Sequence, residues 1–241
     1  MSSFDFKQFR IEQDRCAMKV GTDGVLLGAW AEGGQRILDI GTGTGLIALM
    51  MAQRFADATV TAIDIDEEAC SQARENALAS PFANRVAVVH SSVQSFSVDF
   101  LEKSLKNDSI LPFDSIVSNP PFFEQSLKNP DNRKAIARHT DSLPFSELFE
   151  SVSRLLSDDG IFSLIIPSEK LESFTSNAYL SGFYISRQCF VKTTSKKPAK
   201  RCLLAFKKHL PKVVEKSEIF LQKGDGTRSE SYRNLTQDFY L

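Results

Sequence analysis

Four consecutive residues, Asn119-Pro120-Pro121-Phe122, directly follow residues 113–118, a segment that predicts a buried strand. Their types suit transfer of a methyl group to a planar amine, whose nitrogen lone pair is delocalised into a ring. The Asn119 side-chain oxygen and the Pro120 carbonyl oxygen can each accept one N–H of the amine, which localises that lone pair. The two prolines hold the backbone still, and the Phe122 ring offers a stacking surface. The tetrapeptide also suits a plain turn where a strand ends, and it does not decide between the two by itself.

A second chemical feature is a glycine loop. Gly41, Gly43 and Gly45 alternate with threonines between an apolar segment and an apolar helix start at Leu46. Glycines allow a tight turn and let backbone N–H groups and a helix N-terminus approach a ligand. A dinucleotide fingerprint has its third glycine one residue later, where this chain has Leu46. The spacing therefore favours a cofactor without a pyrophosphate, and S-adenosylmethionine fits that description.

Three aspartates lie close to this loop or to the strand that follows it. Asp64 ends the second predicted strand, where a carboxylate can accept the hydroxyl protons of a ribose. Asp66 is its rival for that role, but we favour Asp66 as the N-cap of a helix that begins at Glu67. Asp39 precedes the first glycine by two residues. It would either hold the ammonium group of the cofactor or fix the loop, and the sequence leaves both open.

The elements that must position these residues alternate between residues 36 and 208, as in a mostly parallel sheet covered on both faces. The predicted strands are residues 36–40, 59–64, 85–90, 113–118, 160–166, 184–191 and 201–206. The predicted helices are residues 46–54, 67–79, 145–156 and 168–180, with a turn at 157–160. Too few residues separate the last two strands for a crossover helix, so that pair is predicted to be antiparallel. The fold class is α/β, with a Rossmann-like seven-stranded sheet whose last strand is antiparallel.

Composition sets the outer bounds on function. The formal net charge of the 241 residues is -1, so any nucleic-acid contact depends on local basic patches. The four cysteines lack the spacing of a metal site or a disulfide framework, and neither is predicted. No long apolar segment and no signal peptide are visible, which predicts a cytoplasmic protein without membrane contact. We expect a monomer.

Asp39, the three glycines, Asp64 and the Asn119 tetrapeptide, in this order, resemble the amino-methylating branch of the class I S-adenosylmethionine-dependent methyltransferases. The segment from Lys7 to Trp30, together with the tetrapeptide and the phenylalanine after it, is similar to the bacterial tRNA1(Val) (adenine-37-N6)-methyltransferase family. The likeness covers residues 6–208. It implies S-adenosylmethionine as the cofactor, a valine tRNA as the partner, and N6 of adenine-37 in the anticodon loop as the amine that is methylated.

The resemblance also implies roles for further residues. In this family residues 18–23 close over the methionine end of the cofactor, so Lys19, Thr22 and Asp23 are candidates there; a surface turn at Gly21 and Asp23 is the alternative. Many class I enzymes have an acidic residue after the third strand for the adenine of the cofactor, whereas this chain has Ser92, which offers only a hydroxyl. Asn119 would contact the cofactor as well as the substrate. The implied organisation is a closing segment (1–34), a methyltransferase domain (35–208) and a tail with a short strand and helix (209–241).

Two local basic segments could contact RNA phosphates near the substrate entrance. The segment after the tetrapeptide contains Arg133, Lys134 and Arg138. The segment between the last two predicted strands contains Lys192, Lys196, Lys197 and Lys200. Each could instead be an ordinary solvated charge cluster.

Other functions suit parts of this pattern. An Asn-Pro-Pro-aromatic site also suits guanine N2 in rRNA, adenine in DNA or glutamine N5 in a protein. A noncatalytic RNA-binding protein could keep the same fold, although the intact glycine loop, Asp64 and Asn119 argue against it. An NAD-dependent oxidoreductase is disfavoured by the glycine spacing.

Overall fold

A computed structural model describes residues 3–16, 18–120 and 143–241, and it contains one large sheet of eight strands. In chain order these strands are β3 (Arg36–Ile40), β4 (Thr59–Asp64), β5 (Val86–His90), β6 (Phe113–Ser118), β7 (Leu156–Pro167), β8 (Tyr184–Lys192), β9 (Ala199–Lys207) and β10 (Glu215–Phe220). Across the sheet the order is β10-β8-β9-β7-β6-β3-β4-β5. An N-terminal hairpin, β1 (Ser3–Asp5) with β2 (Arg10–Glu12), stands apart from this sheet.

The strand directions confirm the predicted fold class. Strands β3 to β7 are mutually parallel, and β9 is antiparallel to both β7 and β8. All seven strands predicted between residues 36 and 206 are present, and the short strand predicted in the tail is β10, which joins the same sheet as an eighth strand by pairing in parallel with β8 at its edge. The boundaries proposed at residues 34 and 208 remain a prediction.

Seven helices are present in the described part of the chain. They are α1 (Thr22–Trp30), α2 (Leu46–Arg54), α3 (Glu67–Leu78), α4 (Val93–Ser104), α5 (Phe145–Leu155), α6 (Leu171–Leu180) and α7 (Glu230–Thr236). Successive side chains of a strand point to opposite faces, so Ile37 of β3 joins one buried cluster and Leu38 joins the other. The first cluster includes residues of α1, α2 and α7, and the second includes residues of α5 and α6. Helices therefore cover both faces of the sheet.

The predicted turn at residues 157–160 lies within β7. Leu156 pairs with Phe113 and Ile161 pairs with Ser115, so four residues of β7 stand opposite one residue of β6. This irregularity lets the strand continue past polar residues that would otherwise end it. The prediction of a separate turn was wrong for that reason.

The two ends of the chain pack together on the first cluster. The Phe6 and Tyr240 rings are stacked with centroids 6.0 Å apart, and the backbone N–H of Lys7 donates to the Phe239 carbonyl oxygen at 2.8 Å. The tail is thus joined both to the sheet edge and to the N-terminal hairpin. Within the described residues, no helix has the length and apolar character needed to span a membrane.

Candidate active site

Four of the candidate features of the sequence lie at the carboxyl edge of the parallel strands. Ile40 at the end of β3 pairs with Ser118 at the end of β6 and with Ile63 of β4, and Asp64 pairs with His90 at the end of β5. Asp64 is the last residue of β4, and Asn119, the glycine loop and Ser92 follow the ends of β6, β3 and β5. In open α/β sheets this edge is where ligands bind, so the register places all four features at one site.

The glycine loop adopts a backbone that side chains other than glycine rarely tolerate. Gly41, Gly43 and Gly45 have φ values of 71°, 55° and 82°. A Cβ atom on Gly41 or Gly43 would meet nothing within 4 Å, whereas one on Gly45 would lie 3.3 Å from the Cβ of Ala73 in α3. The first two glycines therefore border open space, where a cofactor can approach the backbone, and the third permits close packing against α3.

Asp64 and Asp66 have different surroundings. Asp64 Oδ2 accepts from the backbone N–H of Gly43 at 2.8 Å, so its carboxylate lies against the glycine loop. Asp66 caps α3, because its Oδ1 accepts from the backbone N–H groups of Glu68 and Ala69. The N-cap predicted for Asp66 is confirmed, and the ribose role of Asp64 stays a prediction that this geometry supports.

Asp39 is fully buried beneath the loop. Its Oδ2 accepts from the Thr42 hydroxyl at 2.6 Å and from the backbone N–H of Ala48 at 3.1 Å. These two bonds fix the glycine loop to the start of α2, which is one of the two roles the sequence left open. Asp39 Oδ1 is buried and has no hydrogen-bond partner among the described residues. That oxygen is available for a donor group of a bound cofactor.

Burial raises the pKa of the Asp39 carboxyl group. Desolvation raises the pKa of its carboxyl group from 3.8 to about 7; the hydrogen bonds from Thr42 and Ala48 lower the pKa, and the nearby Asp64 charge raises it slightly. A carboxyl group whose pKa is raised on folding stabilises the fold most below the unfolded pKa, and that contribution is lost as pH rises through the folded pKa. The relevant window therefore runs from about pH 4 to about pH 7.

Asp39→Asn is expected to remove this pH dependence. The amide stays neutral, so the free energy of unfolding of the variant relative to wild type should rise by about 4 kcal/mol between about pH 4 and pH 8. Urea unfolding of both proteins across this range, without added cofactor, measures the difference. A difference that does not vary with pH would contradict the assignment.

Asn119 and Pro120 lie where the tetrapeptide was predicted, directly after β6, and both are half-buried. The hydroxyl of Ser118, the residue before them, donates to the Ile40 carbonyl oxygen at 2.9 Å and ties the end of β6 to the start of the glycine loop. Pro121 and Phe122, together with Arg133, Lys134 and Arg138, lie outside the described residues.

The segment predicted to close over the cofactor includes the first turn of a helix. Thr22 and Asp23 begin α1, and the N-cap residue Gly21 has an extended backbone, so the alternative of a simple surface turn is wrong. Lys19 is exposed before this helix. Ser92 is the N-cap of α4, where its hydroxyl oxygen accepts from the backbone N–H of Ser95 at 3.1 Å.

The four candidate lysines at the end of β8, in the following loop and at the start of β9 fall into two groups. Lys196, Lys197 and Lys200 are exposed. Lys192, the last residue of β8, instead donates to Glu218 of β10 at 2.6 Å and lies over the Phe220 ring. Its charge is therefore balanced within the protein, which makes it the weakest of the four candidates for an RNA contact.

Asn76 is a buried residue of this site that the sequence analysis did not select. Its Nδ2 donates to the Thr44 carbonyl oxygen of the glycine loop and to the Glu12 carbonyl oxygen of β2, each at 2.8 Å. Its Oδ1 accepts from the backbone N–H of Glu12 at 2.9 Å. Asn76 thus joins the N-terminal hairpin to the loop from α3. A lone asparagine inside a helical pattern is a weak signal for such a role.

Comparison with known proteins agrees with this fold and site. Residues 20–171 match the family model of the Methyltransferase small domain. Among solved structures, a predicted O-methyltransferase from Agrobacterium tumefaciens superposes with a TM-score of 0.65 at 19% identity, covering 90% of this chain and 96% of its own. The glycopeptide N-methyltransferase MtfA, solved with S-adenosylmethionine, superposes with a TM-score of 0.54 at 13% identity, covering 78% and 95%. The fold, the glycine loop and the family match define a class I methyltransferase that uses S-adenosylmethionine.

Full-length relatives narrow this class. A tRNA1(Val) (adenine(37)-N6)-methyltransferase from Phocaeicola vulgatus is 48% identical over 240 residues, which are 99% of this chain and 97% of the relative. The protein of the same name from Pseudoalteromonas translucida is 41% identical over 243 residues, covering 100% and 99%. This chain belongs to the tRNA1(Val) (adenine(37)-N6)-methyltransferase family.

Proposed function

We propose that the protein methylates N6 of adenine-37 in the anticodon loop of tRNA1(Val). The main support for the methyl-transfer reaction is the strand register. Ser118 at the end of β6 pairs with Ile40 at the end of β3, so Asn119 and Pro120 lie beside the glycine loop. The names of relatives that are 40–48% identical over nearly their full length support this substrate. The reaction would take place in the cytoplasm, with the protein acting as a monomer.

The residues at this edge suit direct transfer without a covalent intermediate. S-adenosylmethionine, when bound, supplies an electrophilic methyl group. The Asn119 side-chain oxygen and the Pro120 carbonyl oxygen would accept the two N–H groups of the adenine amine and direct its lone pair toward that methyl group. Holding both reactants in one geometry supplies much of the rate. No strong general base is required, because the nitrogen loses a proton readily once it is alkylated.

The residues available for holding the cofactor fit its chemistry. Gly41 and Gly43 border open space. The Asp64 carboxylate lies at the end of β4, within reach of a ribose beside the loop, and the unpartnered Asp39 Oδ1 suits the ammonium group. Lys19, Thr22, Asp23 and Ser92 remain further candidates. Phe122 would stack against the adenine, which must leave its own stack in the RNA.

The exposed lysines between β8 and β9 support an RNA surface at the same edge. Because β8 is parallel to β7, its carboxyl end and the start of β9 face the edge at which Asn119 lies. β9 is separated from β6 only by β7. Two strand spacings correspond to roughly 10 Å, about the reach of one or two nucleotides. Phosphates next to adenine-37 could therefore contact this loop while the base occupies the site. Arg133, Lys134 and Arg138 are proposed to add to the same surface.

Reversing the charge of Lys196 and Lys197 is expected to weaken tRNA binding while leaving cofactor affinity unchanged. Each lost phosphate contact reduces the salt dependence of binding, so Lys196→Glu/Lys197→Glu should raise the Kd for tRNA roughly tenfold or more near 0.1 M salt and flatten the salt slope. Fluorescence anisotropy with labelled tRNA measures both quantities. Lys103→Glu/Lys106→Glu, which changes two exposed lysines, one in the last turn of α4 and one just after it, is the matched control. Equal effects of the two double variants would remove Lys196 and Lys197 from the RNA surface.

The reaction itself is tested by incubating the purified protein with S-adenosylmethionine and unmodified bulk tRNA. Digestion to nucleosides and mass spectrometry should reveal N6-methyladenosine, and fragment mapping should place it at adenine-37 of a valine tRNA. Absence of the product, with cofactor binding intact, would exclude this substrate. Parallel incubations with rRNA, DNA and a glutamine-containing peptide would then identify the amine.

A further inference from the structure

An ion pair joins the segment that carries the exposed lysines to the first turn of α1. The Arg201 Nε donates to Asp23 Oδ2 at 2.7 Å, and the two side chains are 39% and 35% exposed. The partners are 178 residues apart in the chain. Arg201 lies in β9 directly after Lys200, and Asp23 lies at the N-terminal end of α1, where a carboxylate is favourably placed against the helix dipole.

The Arg201 guanidinium makes two hydrogen bonds, one to Asp23 and one to the backbone of the residue before it. While its Nε binds Asp23, its Nη1 donates to the Lys200 carbonyl oxygen at 3.1 Å. The guanidinium is planar and presents its donors in a fixed fork, so a shift of the Lys200 backbone changes the direction of the bond to Asp23. The lysine loop, residues 193–200, ends directly at Arg201, so a displacement of this loop would act on α1 through the ion pair.

Among the described residues, the ion pair borders a cavity. A cavity of about 160 Å³ lies between α1 and the ends of β8 and β9, with Leu26, Val191 and Leu221 among its lining residues. Close-packed side chains resist displacement, whereas a cavity beside the ion pair leaves room for the loop between β8 and β9 to move. The half-exposed pair is also screened by solvent, so it can adjust to a ligand without unfolding the site.

We propose that Arg201 is a positioning residue that couples RNA binding at the loop to the first turn of α1, so that RNA and cofactor each tighten the binding of the other. RNA phosphates that neutralise Lys196, Lys197 and Lys200 would fix the loop, and Arg201 would then hold Asp23 and α1 in the arrangement that encloses the cofactor. This inference rests on the proposed function, since RNA is the ligand of the loop. Thermodynamic linkage requires the two effects to be equal.

The test is a binding cycle with purified full-length protein, valine tRNA and S-adenosylhomocysteine, the demethylated form of the cofactor, which prevents turnover. Calorimetry gives the Kd of S-adenosylhomocysteine with and without saturating tRNA. In wild type, tRNA is expected to tighten this binding about tenfold, within the usual range for coupled sites. In Arg201→Gln and in Asp23→Asn the factor should fall to about twofold or less. The double variant should lose no more than either single variant, because both remove one contact.

Arg187→Gln is the matched control. Arg187 also forms a half-buried ion pair, with Glu32 at 2.8 Å, and it lies over the Trp30 ring at the opposite end of α1. Its removal should leave the coupling factor unchanged. A wild-type factor near one, or a full factor in Arg201→Gln, would overturn the inference while tRNA binding and methylation persist. A failure of wild type to bind tRNA would overturn the proposed function together with the inference, so the two failures are distinguishable.

Discussion

Replacing Asn119 with alanine is expected to lower kcat about a thousandfold, while the Kd of S-adenosylmethionine changes by less than about threefold. The loss is large because the proposed acceptor acts on the nitrogen as its lone pair becomes localised, which is an interaction of the transition state rather than of the bound cofactor. The Asn119 side chain follows β6 and is not required by the glycine loop, whose backbone bonds run to Ile63 of β4. Single-turnover kinetics with tRNA and calorimetry with the cofactor separate the two effects.

Asn119→Asp tests the chemical role of this side chain. Aspartate keeps an oxygen acceptor at the same position, so its kcat should exceed that of Asn119→Ala by about tenfold or more. Ser118→Ala is the structural control, because it removes the hydrogen bond to the Ile40 carbonyl oxygen without removing the proposed acceptor. Equal losses in the aspartate and alanine variants would contradict an acceptor role, and full activity in Asn119→Ala would exclude Asn119 from the mechanism.

The carboxyl edge of the sheet was the most predictable part of the fold. The bounds predicted for β3, β4 and β6 match those observed, because each is a short segment rich in apolar and β-branched residues that ends at a polar residue or before a glycine. The N-cap at Asp66 was equally local, since a side chain two residues from a backbone N–H leaves its signal in a short stretch of sequence. These features depend on neighbouring residues only.

Helix α1 was not predicted, for a physical reason. Two of its residues, Gly24 and Gly28, are poor helix formers, and every residue from Gly24 to Trp30 is buried, so the sequence shows no polar face. The glycines are explained only by packing, because a Cβ atom on Gly28 would lie 2.9 Å from the Cβ of Met50 in α2. A close approach between two helices depends on the residues of both helices, so the sequence of α1 alone does not predict it.

The short strand and helix predicted in the tail are present, but the pairing of that strand with β8 and the ion pairs were not predicted, because their partners are far apart in the chain. β10 has mostly exposed side chains and gives little strand signal, yet its Glu218 balances the charge of Lys192. Arg201 likewise lies among lysines in the sequence, and only the fold places it against Asp23. A basic segment therefore indicates available charge, but which of its members are free for a partner depends on strands that pair across the sheet.

Replacing Asp64 with alanine is expected to raise the Kd of S-adenosylmethionine by about 100-fold or more. The variant would lose the two charged hydrogen bonds proposed between the Asp64 carboxylate and the ribose, and bonds of this kind contribute about 1.5–3 kcal/mol each. It would also leave the backbone N–H of Gly43 without its acceptor, which loosens the loop at the point where the cofactor approaches. Asp64→Asn keeps an acceptor oxygen without the charge, so its Kd should lie between those of wild type and Asp64→Ala.

Asp66→Ala provides the control that distinguishes a lost ligand contact from a weakened helix. Asp66 caps α3 two residues further along the chain, so its removal should lower the free energy of unfolding by about 1 kcal/mol and leave the cofactor Kd within about twofold of wild type. Calorimetry and urea unfolding on the same preparations give both quantities. If Asp66→Ala weakened cofactor binding as much as Asp64→Ala, cofactor affinity would depend on the stability of α3 rather than on the Asp64 carboxylate. The proposed contact between Asp64 and the ribose would then be wrong. The two aspartates lie two residues apart in sequence, and we expect one to affect binding and the other only stability, because a single bend after β4 turns the first toward the glycine loop and the second toward α3.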